Sequence, residues 1–324
     1  MTQDVICVGT ALVDIPLYPV SSETLNKVSF PLNDISMKIG GDAINEAIVL
    51  SKLGKKVALI SAVGDDGAGN YIRKIAQKNK VNISSVKVNP NLTTSINIGL
   101  VKPDGQRTFL TNRNGSLWKM NENDIDFQAI TDSKILSMAS IFNNPLIDDQ
   151  VILKIFQKAK KENMTICADI DAPRLGETID NIKNILPYID YFFPNDTEAK
   201  DLTNQPDLDS QSDLLLKLGV KNVVIKTGAN GCFIKNKKMK KYLPSYEVPS
   251  NIDIDTTGAG DNFAAGFISK LAEGQSFENC ARFGNAVASL SVRKLGAIDG
   301  VKNERQVEQL LKNYQKGDNN EIRR

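Results

Sequence analysis

One segment of the 324-residue chain combines small residues with an acid at the start of a predicted helix. It reads Asp255-Thr-Thr-Gly258-Ala259-Gly260-Asp261 and continues into an apolar pattern with helical spacing. Small residues let a ligand approach the backbone, and the first turn of a helix offers unpaired N–H groups and the positive end of the helix dipole. The sequence therefore predicts an anion hole at 258–260, of the kind that neutralises charge on a transferring phosphoryl group.

Asp261 lies in the same first turn and is the candidate general base. The helix terminus stabilises the ionised carboxylate, so we expect the pKa of Asp261 not to be raised. A weak base that is always ionised suits removal of a proton from a hydroxyl late in a loose phosphoryl transfer. Taken alone, the motif is also compatible with an ordinary acid near a helix N-cap.

A second segment, Gly40-Gly41-Asp42-Ala-Ile-Asn45, opens another predicted helix that ends at Gly54. Asp42 and Asn45 are three residues apart, so they share one face of the first turn. Polar side chains beside a pair of glycines could hold a polyol. The alternative for Asp42 is simple capping of its helix.

Apolar, β-branched runs alternate with amphipathic segments over most of the chain. This alternation predicts an α/β fold with a mostly parallel central sheet flanked by helices. The predicted strands are Val5–Gly9, Val57–Val63, Ile135–Ile141, Met164–Asp169, Tyr191–Pro194, Asn222–Lys226 and Gly231–Lys235, and the main predicted helices are Ala43–Leu53, Ala68–Lys78, Ile147–Lys160 and Leu208–Leu218.

Two segments, about 15–40 and 92–115, interrupt the alternation and predict a small β-sheet lid. Residues 15–39 carry three prolines, and residues 93–113 read as a hairpin whose turn is Lys102-Pro103-Asp104-Gly105. Lids of this kind close over a substrate and exclude water.

Histidine is absent from the composition. A Ser-His-Asp or Cys-His nucleophile and every His-ligated metal site are therefore excluded. The charge balance of 40 Lys+Arg against 38 Asp+Glu gives no reason to expect binding to nucleic acid or membrane. No apolar run approaches the ~18 residues of a membrane span. A predicted strand that begins at residue 4 leaves no room for a signal peptide. The four cysteines are expected to be buried, reduced thiols. We expect a cytoplasmic protein.

Together, the two segments resemble the signatures of the ribokinase-like (PfkB) carbohydrate kinases. GGDAINEAIVLSKLG at 40–54 resembles the N-terminal signature, and DTTGAGDNFAAGF at 255–267 matches the C-terminal one almost letter for letter. VGDDGAG, Pro194-Asn195-Asp-Thr-Glu198, the loop 226–231 and Arg282-Phe-Gly-Asn285 also agree. The resemblance implies one kinase domain over 1–324, with a tail at 312–324 that we expect to fray.

The resemblance implies transfer of the ATP γ-phosphoryl group to a hydroxymethyl group, and it assigns roles by position. Asp261 matches the catalytic base and Gly258, Ala259 and Gly260 the anion hole. Asp14, on the turn after the first strand, resembles the acceptor of substrate hydroxyls, joined by Gly40, Gly41, Asp42 and Asn45. Asn195 and Glu198 resemble an element that acts on Mg²⁺ through water, as suits a hard cation. The nucleotide-side positions are Asn195, Lys226, Thr227, Gly228, Asn230, Gly231 and Asn285, and those matching a monovalent cation site, as for K⁺, are Asp255, Thr257, Ser291, Lys294, Gly296 and Gly300.

Departures from ribokinase put ribose in doubt as the substrate. Asn143 stands where ribokinase has a glutamate, and Asp42-Ala43 stand where it has Lys-Gly. Arg113 resembles an arginine of the ketodeoxygluconate-kinase and fructokinase branches; facing the site, it would bind a carboxylate or phosphate bidentately, and otherwise it is an exposed lid arginine. Arg174 could reach phosphates, but its spacing from Asp169 is off the family pattern by one residue.

The resulting hypothesis is an ATP-dependent kinase of a free or acidic monosaccharide. A nucleoside kinase or a phosphosugar kinase of the same family is the alternative within this class. A non-catalytic sugar or nucleotide sensor is the alternative from another class, although mere binding would not need the base and the anion hole. A dehydrogenase is disfavoured because the dinucleotide fingerprint is missing. We also expect that apolar strand surface on the lid mediates a homodimer.

Overall fold

The β-branched runs form strands in two sheets, in a computed structural model that describes residues 3–32, 35–102, 107–249 and 255–321. The strands within these ranges are β1 (Gln3–Gly9), β2 (Leu12–Leu17), β3 (Lys38–Gly40), β4 (Val57–Gly64), β5 (Val86–Asn89), β6 (Ile96–Val101), β7 (Arg107–Thr111), β8 (Ser133–Ile141), β9 (Thr165–Ile170), β10 (Tyr191–Phe192), β11 (Asn222–Lys226), β12 (Cys232–Asn236) and β13 (Lys240–Leu243).

Amphipathic segments between the strands form the helices. In the described ranges these are α1 (Ser22–Leu25), α2 (Asp42–Lys52), α3 (Gly67–Lys78), α4 (Ser116–Lys119), α5 (Asp149–Lys161), α6 (Ile179–Ile182), α7 (Asp196–Thr203), α8 (Leu208–Lys217), α9 (Ala259–Ala272), α10 (Phe277–Ser291) and α11 (Glu304–Glu321). None of the helices in the described residues is long and apolar enough to cross a bilayer.

The larger sheet has the strand order β13-β12-β11-β10-β9-β8-β1-β4-β5 in the described residues. The strands from β5 to β11 in this order are parallel, and β12 and β13 add an antiparallel edge. This confirms the predicted α/β architecture. The chain proceeds from β1 through β4 to β5 on one side and starts the other side at β8, so the order reverses between β1 and β8. Open α/β sheets bind ligands at the carboxyl ends of the strands beside such a reversal.

Helices cover both faces of the large sheet, because its strands are apolar on both sides. In β1, Val5 and Cys7 belong to a core shared with α2, α3, α9 and α10, whereas Ile6 and Val8 belong to a second core shared with α5, α7 and α8. All four cysteines are free and buried, as expected.

The lid is a separate small sheet of order β3-β2-β6-β7 in the described residues. β6 and β7 pair antiparallel as the predicted hairpin; its turn includes residues 103–106, which lie outside the described residues. The prediction was wrong about Asp14, which we expected on a turn. It lies within β2, because the chain leaves β1 and enters the lid as a strand after only two residues.

The polar C-terminal segment extends the last helix. α11 runs to Glu321, and the fraying expected at 312–324 stays a prediction. Val307 is buried, Leu310 and Leu311 pack against the first core, and the Tyr314 ring lies 4.9 Å from that of Tyr246. These contacts hold the helix beyond the start of the predicted tail.

Candidate active site

Two helix starts meet at the candidate base. Asp261 is the third residue of α9, and its Oδ2 accepts a hydrogen bond of 2.9 Å from Asn45 Nδ2, in the first turn of α2. The N-caps of the two helices are Gly258 and Gly41, and neither helix has a side-chain cap. Asp42 and Asp261 therefore do not act as caps, and the capping alternative does not apply to either.

The backbone at 258–260 forms a tight turn at the start of α9. Gly258 is left-handed (φ 70°), and a Cβ there would lie 2.6 Å from the Ala297 Cβ, so only glycine fits. Asn262 Nδ2 fixes this turn by donating to the carbonyls of Gly258 (2.7 Å) and Ala297 (2.6 Å). The Ala259 N–H, however, already donates to the Thr256 carbonyl at 3.2 Å. The amides of Gly258 and Gly260 are thus the better anion donors.

A lysine lies beside this helix start. Lys226, the last residue of β11, forms an ion pair with Asp169 near the carboxyl end of β9. Its Nζ is 3.2 Å from the position of a Cβ on Gly260. Burial lowers the pKa of Lys226, but the carboxylates of Asp169, Glu198 and Asp261 outweigh this and raise it overall. The ammonium group is therefore charged next to the predicted anion hole.

The prediction for the pKa of Asp261 was wrong. Burial raises it well above the ordinary value, and the nearby carboxylates of Asp42 and Asp169 add to the rise, against the opposing effects of Asn45 and Lys226. The helix terminus alone favours the ionised form. Desolvation and like charge from other elements, which the local sequence does not reveal, act in the opposite direction.

The two positions that depart from ribokinase contact each other. Asn143 follows β8, and its Nδ2 donates to Asp42 Oδ2 at 2.6 Å. Its Oδ1 accepts from Arg174 Nη2 at 2.8 Å, and the same nitrogen donates to Asp171 Oδ2 at 3.0 Å. Burial raises the pKa of Asp42 to about 6, with Asp171 contributing. This chain of contacts forms one wall beside Asp261.

Asp14 is the acid that the lid sheet contributes, from β2. Its Oδ2 would lie 2.1 Å from a Cβ on Gly40, so the carboxylate rests on the glycine backbone. The side chain of Asn97 hydrogen-bonds the carboxylate, yet burial still raises the pKa of Asp14 to about 6. Gly41 (φ 97°) is the left-handed link between Gly40 and α2.

The two candidate arginines share an aromatic partner. The guanidinium carbons of Arg113 and Arg174 lie 5.3 Å and 5.8 Å from the centre of the Trp118 ring. Arg113 is exposed and Arg174 is half-buried. Stacking on a ring holds a planar guanidinium in place while its N–H groups remain available. The structure thus brings both arginines to one side of the site.

The predicted nucleotide-side residues lie along the ends of β11 and the start of α7. Asn195 and Glu198 form a capping box, with Glu198 N–H donating to Asn195 Oδ1 (2.8 Å) and Asn195 N–H donating to Glu198 Oε2 (2.7 Å). Burial raises the pKa of Glu198 to about 7. Thr227 Oγ1 is 2.9 Å from the Tyr242 hydroxyl, and Gly228–Asn230 form one 3-10 turn before Gly231 (φ 107°).

Asn285 and the residues of the candidate cation site have structural contacts of their own. Asn285 Nδ2 donates at 3.1 Å to the carbonyls of Leu243 and Pro244, so it ties α10 to the end of β13. Asp255 accepts from the backbone N–H groups of Thr257 (2.9 Å) and Gly296 (2.8 Å). The remaining predicted residues converge here: Lys294 N–H donates to the Ser291 carbonyl, and a Cβ on Gly300 would lie 2.4 Å from that same oxygen.

Comparison with known proteins identifies the family of the chain. The model of the pfkB family carbohydrate kinases matches residues 2–304. The chain belongs to the PfkB family. Members of this family are phosphotransferases that act on an alcohol group, which confirms the enzyme class and the resemblance seen in the signatures.

The similar PfkB proteins include sugar kinases of two kinds. The chain is 28% identical to the ribokinase of Haemophilus influenzae over 307 residues, covering 93% of this chain and 94% of that one. It is 29% identical over 296 residues to the Arabidopsis thaliana protein named probable fructokinase-5, covering 86% and 89% of the two chains.

Solved structures share the fold over nearly the whole chain. The ribokinase of Arabidopsis thaliana, solved with ribose and ATP, has a TM-score of 0.81 and 25% identity, covering 96% of this chain and 99% of that one. The ribokinase of Thermotoga maritima gives a TM-score of 0.81 and 26% identity with the same coverage. An Escherichia coli protein solved with ATP and Mg²⁺ has a TM-score of 0.80 at 21% identity, covering 96% and 99% of the two chains, and shows the fold alone.

Several residues of this PfkB site were missed or undervalued by the sequence analysis. Asp169 ion-pairs with Lys226, and a polar residue at the carboxyl end of a buried strand was the signal that could have found it. Asn97 lies in the lid segment, where alternating polar residues read as solvent-facing, and Trp118 lies just after that segment, in α4. Glu46, at the buried side of α2, accepts from Ser137 Oγ at 2.8 Å; its position among apolar residues was its only signal.

Proposed function

We propose that this chain is an ATP-dependent kinase that transfers the γ-phosphoryl group to a hydroxyl of a monosaccharide bound between the lid sheet and α2. The observation that carries the proposal is the position of Asp261. Its carboxylate accepts from Asn45 in the first turn of α2, and it lies on the same helix turn as the amides of Gly258 and Gly260. One carboxylate thus connects the polar residues proposed to hold the sugar with the helix start proposed to bind the phosphoryl group.

The polar side chains around the pocket support a sugar as the acceptor. Asp42 and Asn143 are hydrogen-bonded to each other, and Asp14 adds a carboxylate from the lid beside Gly40. An ionised carboxylate offers several acceptor sites and can bind two neighbouring hydroxyls. Asn45, which donates to Asp261, also orients the base toward the hydroxyl that reacts.

The acidic surroundings of Lys226 fit Mg²⁺ and a phosphate chain. Burial and neighbouring carboxylates raise the pKa values of Asp169 and Glu198, against the opposing effect of Lys226. In the described ranges no three acidic or thiol side chains converge closely enough to hold a metal alone, so phosphate oxygens and water would complete the shell of an ion held near Glu198 and Asn195. When bound, Mg²⁺ neutralises charge on the phosphates.

Different residues of the chain accept the proton, stabilise the transferred group and exclude water. Asp261 accepts the proton of the attacking hydroxyl, and it does so only when ionised. Lys226 favours that ionised form, whereas Asp42 opposes it. The amides of Gly258 and Gly260 and the Lys226 ammonium group stabilise negative charge as it develops on the transferred group. The lid excludes water, which protects the phosphoryl group from hydrolysis.

The nucleotide is proposed to lie along Lys226–Gly231 and toward Asn285, with Asn195 near its phosphates. We assign the monovalent cation, K⁺ by preference, to the carbonyls around Asp255, Ser291 and Gly300. Asp255 and Gly296 are already joined by a hydrogen bond of 2.8 Å, so an ion there would stabilise the loop that carries Gly258. Faster turnover in K⁺ than in Li⁺ at equal ionic strength is the expected result.

A specific observation favours an acidic acceptor as the second candidate. Arg113 and Arg174 both lie over Trp118, and Arg174 reaches Asn143 at 2.8 Å. Two guanidinium groups at one wall suit a carboxylate, as in a sugar acid, or a phosphate, as in a phosphosugar.

An ATP-consumption screen tests both candidates. Wild-type protein with Mg²⁺ is assayed against ribose, fructose, 2-dehydro-3-deoxygluconate, fructose 6-phosphate and adenosine. The proposal expects a sugar or sugar acid to give a kcat/KM at least tenfold above the others. Arg113→Gln should lower kcat/KM only for acidic acceptors if they are the substrates. Activity confined to adenosine, or none at all, would contradict the proposal.

A further inference from the structure

Buried polar atoms without partners gather around the proposed acceptor pocket. Nine buried side-chain nitrogen or oxygen atoms in the described residues lack a hydrogen-bond partner, and six of them lie on the lid sheet, in the first turn of α2 or around Trp118. These six are Asp14 Oδ1, Asn45 Oδ1, Asn97 Oδ1, Thr111 Oγ1, Trp118 Nε1 and Arg174 Nε. Native proteins rarely leave such groups unsatisfied, so a cluster of them indicates hydrogen bonds that a ligand completes.

Three of the six form one straight row across the lid sheet, and the outermost, Thr111, is the last residue of β7. Asp14 on β2 is the register partner of Asn97 on β6, and Asn97 is the register partner of Thr111 on β7. Register partners on neighbouring strands point to the same face of a sheet. Strands are spaced by about 4.8 Å, so the row spans about 10 Å from Asp14 to Thr111.

The row consists mainly of acceptors. The free oxygens of Asp14 and Asn97 only accept hydrogen bonds, and the Thr111 hydroxyl can accept or donate. Their natural complement is a run of hydroxyl groups on one edge of the bound molecule. A span of two strand spacings is wider than the five-membered ring of a pentose, and it suits a six-carbon acceptor.

Resting on the proposed kinase function, we infer that Asn97 and Thr111 are specificity-determining residues, which together with Asp14 bind separate hydroxyls spread along the lid-facing edge of a six-carbon sugar or sugar acid. Asp14 and Asn97 are already joined by a hydrogen bond, so the position of one fixes the other. Thr111 is at the outer end of the row and hydrogen-bonds the hydroxyl farthest from Asp14.

Thr111→Val is the cleanest variant, because it removes the hydroxyl and keeps the shape. Thr108→Val is the matched control: it lies on the same strand, three residues away and on the opposite face, and it is exposed. Both variants are compared with wild type on fructose, 2-dehydro-3-deoxygluconate and ribose, and on single-deoxy analogues of the best acceptor. Thermal unfolding with and without the acceptor checks folding and binding.

The inference expects three results. A six-carbon acceptor exceeds ribose in kcat/KM for the wild type. T111V lowers kcat/KM about 10–100-fold on that acceptor, mainly through KM, while T108V stays within about twofold. On the one deoxy analogue that lacks the matching hydroxyl, T111V and wild type are equal, an outcome that a merely structural role of Thr111 would not produce.

The contradicting results are separable from failure of the proposed function. Equal losses on every analogue, a T111V variant that behaves like T108V, or a wild-type preference for ribose would overturn this inference while leaving the kinase intact. A wild-type protein that phosphorylates no sugar and gains no thermal stability from any would overturn both.

Discussion

At the residue scale, Asp261 is the point where opposing electrostatic effects act on one carboxyl group. The first turn of α9 favours its ionised form, and burial together with Asp42 and Asp169 favours its protonated form. A carboxyl group must be ionised to accept a proton. The balance of these effects on the pKa of Asp261 therefore sets the pH above which the enzyme is active.

The pH dependence should therefore have an acid limb set by Asp261. Its raised pKa means that kcat/KM for the sugar falls as the pH drops through a value above the ordinary carboxylate range. Asp42→Asn removes the largest like-charge contribution and should lower the pKa of Asp261, which moves the limb to lower pH. Profiles of both proteins at saturating MgATP check this, since titration of ATP is common to both. A limb that does not move, or that moves to higher pH, would contradict the assignment.

Glycines and an acid at a helix start have a local physical meaning, so the sequence singled out each of the two signature segments. That the two segments belong to one site was implied only by the family resemblance. The sequence did not predict the pKa of Asp261, which depends on acids from α2 and β9. Asn97 and Thr111 were also missed. A polar residue at every second position of a hairpin has the same pattern whether it faces water or a substrate.

At the element scale, α2 has a buried acid next to Asn45. Glu46 accepts from Ser137 of β8, and burial raises its pKa to about 8. The unfolded value is about 4.3. Between these two values the folded state binds more protons than the unfolded state, so Glu46 makes stability fall as the pH rises from about 4.3 to about 8.

Glu46→Gln should remove this penalty while keeping a hydrogen-bonding group toward Ser137. The variant should unfold at a higher temperature than wild type, and the difference in the free energy of unfolding should grow from pH 5 to pH 8 and reach about 4 kcal/mol near pH 7. Glu308→Gln, at an exposed position of α11, is the control and should show no such trend. A pH-independent difference between E46Q and wild type would mean that Glu46 is ionised in the folded protein.

Among the elements, seven strands of the large sheet were predicted to within two residues at each end, because a run that is apolar on both faces fits a buried strand. The strands β5 and β13 at the two edges of that sheet were not predicted. The order of strands was not predictable from such runs. The lid strand β2 was missed for a related reason: its register depends on pairing with β6, about 80 residues later in the chain.

At the scale of the whole molecule, the lid sheet has two faces of different character. Asp14, Asn97 and Thr111 share one face, whereas Ile98 and Leu110 are register partners on the other and are 37% and 52% exposed. Exposed apolar pairs on a small sheet favour association. We propose that this outer face forms a homodimer.

Light scattering during gel filtration should then give the mass of two chains for the wild type. Leu110→Lys places a charge in the centre of the apolar face and should give one chain, with an unchanged circular dichroism spectrum. A wild-type monomer, or an L110K protein that stays dimeric, would show that the outer face of the lid is not the interface.

The central claim is that Asp261 takes the proton of the attacking hydroxyl, and replacing it tests the claim most directly. Asp261→Asn keeps the shape and, by its oxygen, the contact with Asn45, but it cannot act as a base. Turnover of the best acceptor should fall about 10²–10⁴-fold, with the Kd for ATP changed only modestly. Asp149→Asn, another acid in the first turn of a helix, should be unaffected. A D261N enzyme with near-wild-type kcat would contradict the account.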